Sequence, residues 1–175
     1  ENYDPGRVTN LKRYYDGTIQ NHPGTYMILE FLGTLPCQEE QEYAAHGFML
    51  WGNNNATYNQ CTMGFVSNSD ISPVVYSSPK RAYNNPAEVG YMESHDEERT
   101  MYKNLTFGNS SGSYNVKNLN TALAREAAAA TVFFTVPGPK MIWQFEERGY
   151  DIPLNYGGSN VANKPPHWEY MTVPE

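Results

Sequence analysis

Long apolar runs are missing from this 175-residue chain. No stretch approaches the roughly 18–20 consecutive apolar residues that a membrane span needs, so no spanning helix is expected. Basic charge is scarce: 12 Lys+Arg against 19 Asp+Glu leave a net charge of -7. Phosphate groups are held by basic surfaces, so nucleic acid and anionic membranes are not expected partners. Two cysteines, Cys37 and Cys61, are too few for a disulfide framework, and the sequence leaves open whether they pair. No two histidines fall at i, i+2 or i, i+4, so the helical zinc spacing is absent. A signal-peptide pattern and an initial Met are also lacking. Glu1-Asn2-Tyr3-Asp4 reads as the middle of a longer sequence, and the compartment stays undetermined.

Tyrosine is plentiful instead, with 14 Tyr beside 7 Phe and 3 Trp. Such rings pair an apolar face with a polar edge, which suits stacking under sugar rings, although they serve a core equally well. The length allows one domain with a core of its own. Asp4-Pro5 predicts a helix start, with Asp4 as cap and Val8, Leu11, Tyr15 and Ile19 on one face. Pro23-Gly24 closes it, and the run from Thr25 to Phe31 predicts a strand. Glu39, Glu40 and Glu42 load the start of the next helix, and His46 followed by Gly47 marks its end. Phe48 to Trp51 predicts a second strand, broken by Asn53-Asn54-Asn55, and residues 66 to 88 a long loop.

The stretch Val89 to Ser94 predicts a buried strand, and five ionisable residues follow it, His95 to Arg99. Unpaired charges are costly to bury, so the strand must end near Ser94, with His95 and Asp96 where it emerges. The charged run taken alone also fits a solvated turn or the acidic first turn of a helix. Asn104 to Ser113 reads as a loop. Asn115 or Asn118 then caps the strongest helix, whose stripe is Leu119, Ala122, Leu123, Ala127, Ala130 and Phe134. Pro137-Gly138-Pro139 stops it, Lys140 to Trp143 predicts a further strand, and Asn163 to Trp168 an extended tail. Strands alternating with helices predict an α/β fold with a parallel sheet.

Tyr91-Met92-Glu93-Ser94-His95-Asp96-Glu97-Glu98-Arg99 resembles the strand-seven motif of the alpha-amylase family, glycoside hydrolase family 13, with Ser94 where the usual form has Asn. Met27-Ile28-Leu29-Glu30 before an acidic helix resembles its strand-five segment, and Val136 to Asp151 its eighth strand and following loop. Glu42 to Gly64 resembles a segment of one bacterial branch. Glu146 departs from the pattern, since close relatives usually carry Gly there. The resemblance, from about residue 8 to 170, implies a partial (β/α)8 TIM barrel, roughly (β/α) units five to eight. Residues 1–175 would then be one segment, the C-terminal half of a catalytic barrel. The tail would lead towards a further helix and a β domain. Four strands leave two open sheet edges, so self-association or pairing with the missing N-terminal half is expected.

By the same resemblance, Glu30 would be the acid/base catalyst, Asp96 the transition-state stabiliser and His95 a ligand of a sugar hydroxyl. The parent activity would be retaining hydrolysis of α-glucosidic bonds in starch-like glucans or maltooligosaccharides. Flanking Leu29 and Phe31 would raise the Glu30 carboxyl pKa, as a general acid needs, although an exposed strand-end Glu fits the same residues. Arg99 is expected to pair with a carboxylate. No segment resembles the strand-four motif that carries the nucleophilic Asp, so the chain is expected not to hydrolyse alone. The parent family often binds calcium, with ligands mainly from the missing half, so no cofactor or complete metal site is expected within the chain. A secreted, periplasmic or cell-surface bacterial setting accords with the resemblance. Two competing readings are a non-catalytic carbohydrate-binding module and a metal-dependent hydrolase using His22, His46, His95, Glu30 and Asp96. The histidine spacing argues against the second.

Overall fold

The N-terminal helix forms where its cap permits. In the computed structural model, which describes residues 2–172, α1 spans Pro5–Asn21. The Asp4 carboxylate accepts the backbone N–H groups of Gly6 and Arg7, satisfying two donors that the helix cannot pair itself. Among the described residues there follow β1 (Ile28–Leu29), α2 (Gln38–His46), β2 (Met49–Asn53), α3 (Asn55–Thr62), β3 (Glu88–Tyr91), α4 (Thr100–Phe107) and α5 (Leu119–Thr135). These five helices and one three-stranded parallel sheet, in the order β1-β2-β3, make a mixed α/β fold. None of the helices is long and apolar enough to cross a membrane. Cys37 and Cys61 are free thiols.

The chain forms two compact units. The first comprises Glu1–Gly52, Ser72–Gly90 and Val136–Lys140. Its core gathers Val8 of α1, Tyr43 and Ala44 of α2, Phe48 and Leu50 about β2, and Tyr83 and Ala87 before β3. Leu11 and Tyr15 of the predicted α1 face pack against it. Glu39 and Glu40 stand in the first turn of α2 as expected, and both are buried. Glu39 accepts two hydrogen bonds from the Arg7 guanidinium, at 2.7 and 2.8 Å, and the Tyr43 hydroxyl at 3.0 Å. That guanidinium holds its carboxyl down at about 2. His46 ends α2 beside Asp16 at 2.8 Å, and Gly47 at φ 124° stops the helix.

Two predicted strands shrink. Thr25 to Phe31 yields only the two-residue β1, paired in parallel with β2 through Ile28–Met49 and Leu29–Leu50. A strand extends only as far as a partner's carbonyl and amide groups meet it, and Tyr26 and Ile28 lie 75% and 50% exposed. Lys140 to Trp143 gives no strand: Lys140 makes a single bridge with Gly90. The Lys140 ammonium folds back onto the carbonyls of Val136 and Gly138, at 2.8 and 2.9 Å. The long loop 66 to 88 holds one short 3-10 turn, Ser72–Val74, before β3 begins at Glu88.

The second unit comprises Asn53–Ile71, Tyr91–Thr135 and Met141–Glu175. Helices α3, α4 and α5 pack on one another, with Tyr58 of α3 edge-on to Phe133 of α5 at 6.1 Å. Arg125 of α5 donates to the carbonyls of Cys61 and Thr62, closing the C-terminal end of α3. Asn118 is the cap of α5, accepting the N–H groups of Asn120 and Thr121. Two expectations fail here. Asn104 lies inside α4 rather than opening a loop, fully buried, its amide donating to Glu126 at 2.6 Å. The buried face of α5 is Ala122, Ala129 and Phe133, whereas Leu119 and Phe134 of the predicted stripe remain 44% and 59% exposed. The predicted extended tail carries a 3-10 turn at Trp168–Met171.

Candidate functional site

The burial pattern breaks where the charges of the sequence demand it. Every residue from Glu88 to Ser94 is buried, and His95 and Asp96 are exposed. The regular strand ends at Tyr91, and the chain stays enclosed for three residues more. His95 and Asp96 sit side by side, with Nε2 and Oδ2 3.3 Å apart.

Five side chains hold this turn. The Ser94 hydroxyl accepts the backbone N–H of Asp96 and donates to Glu97. Glu97 also accepts from the Asn53 amide. Asn55, in the first turn of α3, donates one amide hydrogen to the Met92 carbonyl at 2.7 Å and the other to the Glu98 carbonyl at 2.9 Å. Asn59 one turn on donates to Asn55 Oδ1 at 2.8 Å and fixes its orientation. The run Asn53-Asn54-Asn55 therefore does more than break a strand. Its signal in the sequence is the run of three consecutive amides.

His95 lines a pocket of about 370 Å³ with Trp143, Phe145, Tyr150, Asn160 and Lys164. The His95 and Trp143 rings lie 5.8 Å apart at 46°. Aromatic faces, amides and an ammonium in one concavity can stack on a ring and hydrogen-bond its hydroxyls. Glu30 belongs to the first unit, one residue past β1, and is exposed. Leu29 and Phe31 do not enclose it, so the apolar surroundings expected of this carboxyl are not formed by its neighbours in sequence. His22 and His46 also belong to that unit, and His46 has Asp16 as its partner.

A buried acid cluster behind the turn escaped the sequence reading. Arg99 pairs with Glu93, Nη1 to Oε2 at 3.4 Å, as expected, and also donates to the Ser94 carbonyl at 3.1 Å. The Thr100 hydroxyl lies 2.8 Å from Glu93 Oε1 and 3.1 Å from Glu126 Oε2. A hydroxyl has one hydrogen, so when Thr100 donates to Glu93 it can only accept from Glu126, which must then carry a proton. Burial pushes Glu126 up to about 8, and the charge of Glu93 pushes in the same direction. Burial likewise lifts Glu146 up to about 9, with Glu93 adding to it. Burial raises Glu93 too, against the opposing pull of Arg99. Glu146 holds a defined place in its loop. It opens the turn Glu146–Arg148, and Gly149 at φ 64° supplies the left-handed residue. No model of a known protein family matches the chain, and no curated protein sequence matches it.

Proposed function

We propose that this chain is the acid/base-bearing part of a retaining glycoside hydrolase of the alpha-amylase type, shaped as units five to eight of a (β/α)8 barrel, and that it binds α-glucans or maltooligosaccharides at the His95 turn. The observation that carries the reading is the exposed His95–Asp96 pair at the end of an otherwise buried segment, with the Trp143-lined pocket at His95. The carboxyl end of a strand is where barrel enzymes collect catalytic side chains. Glu30, directly after β1, has the corresponding place in its own strand.

In this reading Glu30 protonates the leaving glycosidic oxygen and later takes a proton from water. Asp96 accepts hydrogen bonds from sugar hydroxyls as oxocarbenium character develops, and His95 donates to the same ring. A retaining mechanism needs a second carboxylate about 5–5.5 Å from the acid/base, acting as nucleophile. No motif of this sequence supplies it, so the chain binds and does not turn over by itself. The same gap favours a second reading, a non-catalytic carbohydrate-binding module.

Titrating the purified chain with maltoheptaose while following tryptophan fluorescence tests the shared step. Binding that is lost in His95→Ala and Trp143→Ala is expected; unchanged binding in both would remove the site. Sustained, Glu30-dependent hydrolysis by the chain alone would refute its dependence on a missing nucleophile. In a longer parent protein, Glu30→Gln separates the readings: a hydrolase loses turnover, whereas a binding module shows none to lose.

A further inference from the structure

The apolar stripe that the sequence assigns to the core-facing side of α5 forms instead one wall of a cavity of about 550 Å³ within the second unit. Leu119, Leu123, Ala127, Ala130 and Phe134 lie along it, and Glu126 and Glu146 are among its lining residues. It shares no residue with the pocket at His95. Its volume lies within the range of small-molecule sites, about 300–1,000 Å³, which combine apolar walls with a few placed polar groups.

The ionisable groups here are mostly carboxyls. Three carboxyls, Glu93, Glu126 and Glu146, influence one another electrostatically, and Arg99 pairs with Glu93. Arg148 also lines the cavity, but its guanidinium lies over the rings of Phe145 and Trp168, at 4.0 and 4.6 Å. It donates to the carbonyls of Pro166 and His167 and sits 3.6 Å from Glu147. Asp151 accepts the Tyr170 hydroxyl at 2.8 Å. Glu126 has the Asn104 amide donating to one oxygen and the Thr100 hydroxyl beside the other. Glu146, only 9% exposed, accepts the Trp143 N–H on Oε2 and keeps Oε1 buried with no hydrogen-bond partner. A buried carboxyl oxygen without a donor is costly unless something supplies one.

We propose that this cavity binds a small primary amine as its ammonium ion, seated at the Glu126 and Glu146 carboxyls, with its apolar arm against Leu123, Ala130 and Phe134. An ammonium has three donors and no acceptor, which suits carboxyl oxygens, and its charge complements theirs. A hydrated metal ion would find mostly hydrocarbon. In the absence of the ligand the two carboxyls keep protons at neutral pH, so the ammonium displaces them and binding releases protons.

Phenethylammonium and its neutral counterpart 2-phenylethanol are the probes, titrated calorimetrically at pH 7 in two buffers of different ionisation enthalpy. The ammonium is expected to bind at least about tenfold tighter than the alcohol, as a charge-assisted bond should give, with protons released to the buffer. Glu146→Gln should weaken it by about tenfold or more and leave maltoheptaose binding unchanged. Ala130→Phe, which fills the cavity and keeps Glu146, should abolish it with the circular-dichroism spectrum retained. Equal affinity for the two probes, or no binding of either, overturns the proposal. So does a dimer in sedimentation that Ala130→Phe dissolves, since a second copy would then occupy the groove.

Discussion

The hydroxyl oxygen of Ser94 accepts the backbone N–H of Asp96 at 3.2 Å. Ser94 thus shapes the turn behind the proposed stabiliser. Ser94→Ala removes that acceptor and the donor to Glu97. Loss of one such bond is worth about 0.5–1.5 kcal/mol, so maltoheptaose affinity should fall about two- to tenfold while the far-ultraviolet spectrum stays the same. Affinity unchanged within error would mean that the turn holds its shape without Ser94.

Asn55 should matter more than Ser94. Its amide spans the turn from Met92 to Glu98, and Asn55→Ala leaves two carbonyl groups without their donor. Each unsatisfied buried group costs about 1–3 kcal/mol. The urea midpoint should drop clearly and sugar affinity with it. Asn55→Asp, which keeps the volume and loses the donors, should behave alike; a wild-type midpoint for Asn55→Asp would show that volume, not donation, holds the turn.

Arg99→Met should be among the most destabilising single changes, because it leaves Glu93 buried with no cation. Breaking one side of a buried pair costs about 3–5 kcal/mol. Adding Glu93→Gln should recover part of the loss. Chemical denaturation of the two single variants and the double variant measures this, and a double variant less stable than Arg99→Met would contradict the pairing.

Stability should fall on both sides of the ordinary carboxyl value. Glu126 and Glu146, raised to about 8 and about 9 from 4.5, bind protons more tightly folded than unfolded. Their contribution is full below 4.5 and is lost as pH rises through those values. Glu39, held at about 2, contributes above 4.5 and loses this as pH falls through its folded value. Urea midpoints across this range should therefore peak near the ordinary carboxyl value. The double variant Glu126→Gln, Glu146→Gln should flatten the alkaline limb and leave the acid limb. A midpoint that rises between pH 5 and 8 would contradict the assignment.

What could be read in the sequence was local. The Asp4 cap, the Gly47 stop, the Asn118 cap and the emergence of the chain at His95 each depend on a few adjacent residues. What could not be read depended on partners far along the chain. β1 is cut short by the reach of β2, and Lys140 finds a single bridge where a strand was expected. Glu126 looks like a solvent-facing helix residue until Thr100 and Asn104 are seen to receive it. The α5 stripe had the right period and, beyond Ala122, the wrong phase, with Ala129 and Phe133 buried where Ala130 and Phe134 were expected.

The single hydrogen of the Thr100 hydroxyl also has a meaning for descent. Set between Glu93 and Glu126, that position cannot drift by itself. Serine can replace it, since the hydroxyl survives. Valine keeps the shape and sets two carboxyls against a methyl group, so it should be inherited only with glutamine at 93 or 126. As diverging copies of this chain accumulate changes, positions 93, 100 and 126 should therefore change as a set, whatever happens to the residues of the His95 turn.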